Sequence, residues 1–317
     1  RDLVRSRGLG DVYKRQIEKR DKKMKYYLAM DVGGTSIKYG VVNDQGKIIN
    51  TDKIVTPDSL EKMYQAMGEI YHNCNYEVTG IALSMPGAVN SEVGNIEGAS
   101  ALDYIHGPNI KEDLQKRFNT KVSIENDANC AALAEVWKGS GSDVDDCMFI
   151  VSGTGIGGAV VKDRMIHKGK HLHGGEFGYM VALNDLDNDS YISWSTAGST
   201  VATVKGVAKE LGVDYQTLDG KVIFDQAQDN PIYQKYVDRY YSVLAMGIYN
   251  LQYVYDPEKI IIGGAISVRP DLIEQIESRL EKIYDSIPVA KIHPKVVKCR
   301  FGNEANLIGA VYHFIHS

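Results

Sequence analysis

Two short glycine-threonine segments, far apart in the chain, restrict this sequence more than any other feature. The first is Asp31-Val32-Gly33-Gly34-Thr35-Ser36-Ile37-Lys38-Tyr39-Gly40-Val41-Val42, and the second is Val151-Ser152-Gly153-Thr154-Gly155-Ile156-Gly157-Gly158-Ala159-Val160-Val161. Each reads as strand, Gly/Thr turn, strand. Glycine lets a backbone bend sharply and approach a ligand closely. Successive exposed N–H groups in such a turn form an anion-binding concavity. Two of them could hold one polyphosphate from both sides. Taken singly, each is also an ordinary β-hairpin. As a pair they share more: an apolar second strand follows each turn, then a polar turn, Asn43-Asp44-Gln45-Gly46 in one and Lys162-Asp163-Arg164 in the other. That is a weak internal duplication.

The 317 residues suggest two domains at about 150 residues each. Hydrophobic content of 44% and charged content of 24% suit a globular fold. No apolar run approaches the ~18 residues that span a membrane. Residues 1–23 look foreign to that fold. They hold nine Lys/Arg against four Asp/Glu, a net +5, with no periodic apolar face. They read as a non-native extension, with a genuine basic arm as the alternative, and are set aside. The whole chain carries −5, so residues 24–317 carry −10. An acidic body disfavours nucleic acid and anionic membranes as partners. Cys74, Cys130, Cys147 and Cys299 are scattered without C-x-x-C spacing, which points to a reducing, cytoplasmic setting and away from a cysteine zinc site.

Strands are expected at Tyr26–Met30, Ser36–Val42, Lys47–Ile54, Thr79–Leu83, Lys121–Ile124, Cys147–Val151 and Lys259–Ile262. Asp58-Ser59-Leu60-Glu61 resembles a capped helix start, and Leu60, Met63, Met67 and Ile70 follow at helical spacing. Further helices are expected at Asn109–Phe118, Ala128–Lys138, Pro231–Tyr255 and Glu304–Ile315. Proline stops the long one at Asp256-Pro257. Gly139-Ser140-Gly141-Ser142 is small and polar, the best candidate for a hinge. Strands alternate with helices in both halves, which favours α/β layering.

Glu125-Asn126-Asp127 follows a strand and opens a helix. An Asp at the carboxyl end of an α/β strand sits where ligands usually bind. Asp127 there is either a helix cap or a general base, taking a proton from a hydroxyl that attacks a γ-phosphate. Asn126 offers a donor and an acceptor for sugar hydroxyls. In His173-Gly174-Gly175-Glu176-Phe177-Gly178-Tyr179, Glu176 is either an exposed loop residue or an acceptor for sugar hydroxyls. Gly263-Gly264-Ala265 lacks bulk, so it is either a plain helix-start turn or a surface for adenine. His167, His171 and His173 are near one another but have no Cys nearby, and a solvated loop accounts for them.

Asp31–Thr35, Glu125-Asn126-Asp127-Ala128-Asn129, Gly153–Gly158 and Gly174–Gly178 together resemble the ROK family, in order and spacing, from about Tyr26 to Phe314. The resemblance implies an α/β, two-domain actin-like ATPase/sugar kinase (ribonuclease H-like) fold with ATP and sugar in the cleft. The expected domains are 24–138 and 139–303, with a final helix, within 304–317, packing back on the first. It implies Mg²⁺-ATP-dependent phosphorylation of a hexose, with Asp127 as base and Asp31 near the Mg²⁺–phosphate region. The implied cofactor-binding residues are Asp31, Gly33, Gly34, Thr35, Lys38, Gly153, Thr154, Gly155, Gly263, Gly264 and Ala265. The implied substrate-binding residues are Gly87, Asn126, Asp127, Glu176 and Tyr179. Relatives of this kind are commonly homodimers.

Departures from the pattern narrow the subgroup. Zinc-containing members carry a His where Tyr179 stands, followed by a cysteine cluster, and Val181–Thr196 has no cysteine. Glu176–Met180 and Leu307–Phe314 look most like bacterial β-glucoside kinases. Those phosphorylate the 6-hydroxyl of the non-reducing glucose of cellobiose and related sugars. Glucokinase and N-acetylmannosamine kinase are the alternatives. A ROK repressor is the non-enzyme alternative, but residues 1–23 show no helix-turn-helix pattern.

Overall fold

The computed structural model describes residues 24–98, 100–185 and 189–317. Residues 1–23, set aside above, lie outside the described residues. In the first half, β1 (Tyr26–Val32), β2 (Ser36–Asn43) and β3 (Ile48–Val55) form an antiparallel meander. On the other side of β1, β4 (Val78–Met85) pairs in parallel. A small hairpin, β5 (Ala88–Asn90) and β6 (Asn95–Glu97), follows, and β7 (Val122–Asn126) completes the sheet in the order β3-β2-β1-β4-β7.

The second half repeats this plan. The strands β8 (Cys147–Ser152), β9 (Ile156–Lys162) and β10 (Met165–Ile166) form the meander. A separate ladder, β11 (Val181–Asp185) with β12 (Ser190–Ser193), intervenes. Then β13 (Lys259–Gly263) and β14 (Val296–Lys298) run parallel to β8, giving β10-β9-β8-β13-β14. Strand order and direction match between the two sheets, so the faint duplication in sequence is a duplication of topology. In both, the glycine-threonine turn joins the first two strands.

Parallel neighbours need long crossovers, and helices supply them. Between β3 and β4 lies α1 (Leu60–His72), and between β6 and β7 lies α2 (Ile110–Phe118). The helix α1 buries Met63, Tyr64 and Met67 as its spacing predicts, but its cap differs from expectation. Ser59 occupies the cap position without a side-chain bond. Asp58 instead pairs with Lys62 at 2.8 Å, and Glu61 is drawn to the guanidinium of Arg117 on α2 at 2.7 and 3.0 Å. A two-pronged carboxylate–guanidinium pair outcompetes a reciprocal cap.

After β7 comes α3 (Asp127–Lys138). The residues 194–230, for which the sequence offered no reading, fold as α4 (Trp194–Gly198), α5 (Thr200–Leu211) and α6 (Gly220–Asp225). They surround α7 (Pro231–Tyr255), whose Tyr240, Tyr241, Leu244 and Ile248 are buried. The helix α7 starts at the Asn230 cap and ends at Asp256, held at φ 53° just before Pro257. Between β13 and β14 lies α8 (Leu272–Ser286), and α9 (Ala305–His316) ends the described chain. Among the described residues no helix is long and apolar enough to cross a membrane.

The segment 139–142 is less free than its composition suggests. The buried Glu135 accepts from the backbone N–H of Ser140 at 2.7 Å and of Phe301 at 2.8 Å. Ser140 Oγ donates to the Lys298 carbonyl at 2.7 Å, and Lys259 Nζ donates to the Ser140 carbonyl at 3.0 Å. A buried carboxylate has tied down a segment that its small side chains leave unconstrained.

The helix α9 returns to the first sheet. Leu307, Ala310 and Val311 pack with Tyr27, Ala29, Val42 and Ala82 of the sheet and with Cys130 of α3. The two helices touch backbone to side face at Gly309, where any Cβ would collide with the Cys130 carbonyl. Gly309→Ala should therefore force the helices apart and cost about 1–3 kcal/mol, the usual range for overpacking. Urea unfolding measures this, and an unchanged midpoint would show that the crossing has room to spare.

Candidate active site

The junction of β7 and α3 organises the site. Asn126 caps the helix: its Oδ1 accepts from the backbone N–H of Asn129 at 3.1 Å. Its Nδ2 donates to the Gly87 carbonyl at 3.0 Å. Gly87 sits at φ +96°, and a Cβ there would crowd Ile96, so glycine is needed. Thus Ser84 and Met85 still belong to β4, and the chain turns only at Pro86-Gly87. Both ends of the Asn126 amide are engaged inside the protein, which leaves one donor hydrogen and one lone pair for any ligand.

Because Asn126 is the cap, Asp127 is released from that duty. It is the first helical residue, partly buried, and its Oδ1 accepts from the Ala128 N–H at 2.8 Å. Loss of hydration in the cleft is the main force raising its pKa above the ordinary carboxylate value; the Ala128 N–H opposes this, and the charges of Asp31 and Glu176 reinforce it. Those two neighbours bring the three predicted carboxylates into one electrostatic field.

Asp31 lies near the end of β1. Ser84 Oγ and Asn306 Nδ2 both donate to its Oδ1, at 2.7 and 2.9 Å. In the first turn Gly33 N–H closes onto the Ser36 carbonyl at 3.0 Å, leaving Gly34 and Thr35 exposed. Thr56 Oγ1 holds the Gly33 carbonyl at 2.6 Å. Lys38 stands beside this turn on β2, and its Nζ donates to the Asn303 carbonyl at 2.5 Å.

In the second turn Gly153 N–H bonds the Gly155 carbonyl at 3.0 Å, and Thr200 Oγ1 donates to the Gly153 carbonyl at 2.7 Å. Ser195 Oγ braces Ile156 from both sides, at 2.8 Å to its N–H and 3.1 Å to its carbonyl. Below the turn, buried Ser152 Oγ meets Tyr240 OH at 2.9 Å, so a tyrosine of the long helix also supports this loop. Gly263 pairs with Val151, and Gly264, at φ +87°, lies against the Ser152 backbone. A short 3-10 turn, Ala265–Val268, follows. The glycine turn of β13 is therefore adjacent to the second glycine-threonine turn.

A cleft of about 360 Å³ opens between these parts, lined by Asp127, Ala128, Val151, Gly153, Thr154, Gly155 and Asn306. A Cβ built on Gly153 meets nothing, so this rim is open for a ligand to approach the backbone. Glu176 is exposed on a loop pinned next door: buried Phe177 anchors it to the core, and Gly175 lies flat on the backbone of Gly158 and Ala159. Tyr179 is 76% exposed. His173 Nδ1 contacts the His171 carbonyl at 2.5 Å. Among the described residues no three His, Cys, Asp or Glu side chains converge as a metal cage. The arrangement lines one cleft with a carboxylate of raised proton affinity and the open rim of the second glycine-threonine turn, and two further carboxylates act on that carboxylate by charge. Ser84 and Asn306 were missed from sequence. Ser84 lies just past the strand expected at Thr79–Leu83, whereas Asn306 carries no local signal at all.

Known proteins place this geometry in a lineage. Residues 27–316 match the family model described as "ROK family". A β-glucoside kinase of Listeria innocua is 34% identical over 291 residues, covering 90% of this chain and 96% of that protein. A ROK family protein from Streptococcus pneumoniae, solved in complex with sucrose, is 35% identical with a TM-score of 0.85, covering 92% of this chain and 98% of that one. A ROK family glucokinase from Streptomyces griseus, solved with glucose and AMPPNP, is 25% identical with a TM-score of 0.71, covering 91% and 98%. On the family match and on relatives similar across most of their length, this chain belongs to the ROK family.

Proposed function

We infer that the protein is an ATP-dependent sugar kinase that phosphorylates the 6-hydroxyl of a hexose unit, most suitably the non-reducing glucose of a β-glucoside such as cellobiose. The observation that carries this reading is Asp127, freed from capping and held at the mouth of the cleft opposite the second glycine-threonine turn. Family membership and the kinase relatives support it.

In this reading Asp127 accepts the hydroxyl proton as the sugar oxygen bonds to the γ-phosphorus and ADP departs. The backbone N–H groups around Gly34–Thr35 and Thr154–Gly155 hold the phosphates, and Gly263-Gly264-Ala265 borders the adenine. Lys38 serves from beside the first turn. The residues present suit magnesium: Asp31 is the carboxylate that would face it, and substrate phosphates complete such sites. Bound there, the ion would neutralise charge between phosphates. Asn126, through its remaining donor and lone pair, and Glu176 orient sugar hydroxyls, with Gly87 holding Asn126 in place.

Tyr179 bears on specificity. A site for free glucose grips the reducing-end hydroxyl, whereas a β-glucoside needs room there. An exposed ring offers an apolar face and one hydroxyl to a second sugar. The β-glucoside kinase relative supports this choice over glucokinase. We further read the protein as a cytoplasmic homodimer acting on small molecules, not nucleic acid or membrane, with domains at 24–138 and 139–303.

Asp127→Asn keeps shape but cannot take the proton, so turnover should fall by about 10²–10⁴-fold with nucleotide binding nearly intact. A coupled ADP-release assay beside nucleotide titration tests this, and turnover within a few-fold of the parent would rule Asp127 out as the base. The raised proton affinity of Asp127 sets the pH profile. The acid limb of kcat/KM should lie above the ordinary Asp value of about 3.9. Glu176→Gln removes a neighbouring negative charge, which favours ionised Asp127, so the limb should move to lower pH. An unmoved limb removes Glu176 from the field acting on the base. Finally, kcat/KM for cellobiose should exceed that for glucose, with phosphate on the non-reducing ring. Equal or better use of glucose would overturn the β-glucoside assignment and leave the kinase reading standing.

A further inference from the structure

Behind the β7–α3 junction, a lysine from the second domain reaches into the first. Lys168 follows β10. Its Nζ stands 2.8 Å from Glu125 Oε2 and donates to Ser91 Oγ at 2.5 Å and the Val89 carbonyl at 3.1 Å. All three partners belong to the first half: Glu125 is on β7, Val89 is on β5, and Ser91 follows it. The Glu125 side chain is 1% exposed. Its other oxygen, Oε1, accepts from the backbone N–H of Asn126 at 2.7 Å and from Asn129 Nδ2 at 3.0 Å. Those two asparagines bracket Asp127 in the chain. One carboxylate therefore spans the junction: Oε1 holds the first turn of α3, and Oε2 is held from the opposite domain.

Charge balance makes Lys168 matter. A buried carboxylate needs a partner. His313 on α9 also approaches, its Nδ1 3.6 Å from Oε2. Burial pushes the His313 pKa below its ordinary value of 6.5, so it is neutral near pH 7. Lys168 is then the cation that answers Glu125.

We propose that Lys168 is a positioning residue for phosphoryl transfer: delivered from the second domain, it fixes Glu125, and through Glu125 it aims Asn126 and Asp127 into the cleft. This rests on the role of Asp127 given above. It adds that the base is aligned only when the two halves are in register, so that domain arrangement and chemistry are coupled through one ammonium group. A misplacement of about 1 Å near the reacting groups can cost about 10²-fold in rate.

The pair borders a crevice of about 1110 Å³, wide enough to admit a small amine. That makes a rescue experiment available. Steady-state kinetics of Lys168→Met, Lys168→Arg and Lys168→Ala, the last with and without ethylammonium chloride, would be compared with the parent and with Asp127→Asn. Lys168→Met should lose about 10–100-fold in kcat while the KM for ATP stays within about twofold, the pattern of an interaction needed in the transition state rather than for binding. Lys168→Arg should recover most of the loss. Ethylammonium, with sodium chloride as control, should raise kcat of Lys168→Ala saturably and leave the parent unchanged. A Lys168→Met enzyme with kcat within about twofold of the parent overturns the proposal. So does a loss that neither arginine nor the amine restores, since a general loss of folding behaves that way. If Asp127→Asn retains turnover, the base assignment fails and this inference with it. If Asp127→Asn is inactive while Lys168→Met is normal, only the inference fails.

Discussion

The cap on α3 is the interaction on which the rest of the site depends. A helix begins with backbone N–H groups that have no partner inside the helix. Here a side chain one residue before Asp127 answers that need, since Asn126 Oδ1 takes the Asn129 N–H. Had Asp127 been the cap, its carboxylate would have turned back on the helix and been spent on structure. Moving the duty by one residue lets Asp127 stay at the positive end of a helix, with its charge directed outward. The same amide fixes the Gly87 carbonyl, so the end of β4 and the start of α3 are located by one side chain. Asp31 is brought into line by analogous means, through Ser84 and Asn306.

What was legible in the sequence was local. The glycine-threonine turns, the long helix from Pro231 to Tyr255 and its stop before Pro257 rest on residues within a few positions of one another, and all lie where their patterns put them. The Asp127 position was legible as one of two roles, and the structure gives the cap to Asn126, because Asn, Asp and neighbouring N–H groups can satisfy a helix start in more than one way. The misreadings have a common cause. Glu61 looked like part of a cap and is claimed by Arg117; the 139–142 segment looked free and is claimed by Glu135, Lys259 and Lys298. Each time, a charged side chain overrides a local preference, whether distant in the chain, as Arg117 and Lys259 are, or about one helical turn away, as Glu135 is. Asn306 and Lys168 could not have been found at all, since nothing near them in the chain refers to Asp31 or Glu125.

The two sheets share strand order, and their differences are also informative. In the first half a single helix, α1, joins the meander to the parallel strands, whereas in the second half the path from β10 to β13 passes through the ladder and four helices. That added mass surrounds Trp194 and Tyr240 and supports the second turn from below, through Ser152 and Ser195. The first turn has lighter support, from Thr56 and the approach of Lys38 to Asn303. A shared frame has thus acquired one heavily braced glycine-threonine turn and one that leans on the opposite end of the chain.

The return of α9 to the first sheet has a consequence for biogenesis. Leu307, Ala310 and Val311 cover apolar strand residues made long before them, and the whole second sheet is synthesised in between. Domains generally fold as units while the chain emerges, the amino-terminal one first. This one cannot. Until residues 305–316 leave the ribosome, Tyr27, Ala29 and Ala82 lack their cover, while the second sheet already has its own core in place. The half that begins first is therefore the half that finishes last, and during that interval its bare apolar face is the surface a chaperone would meet.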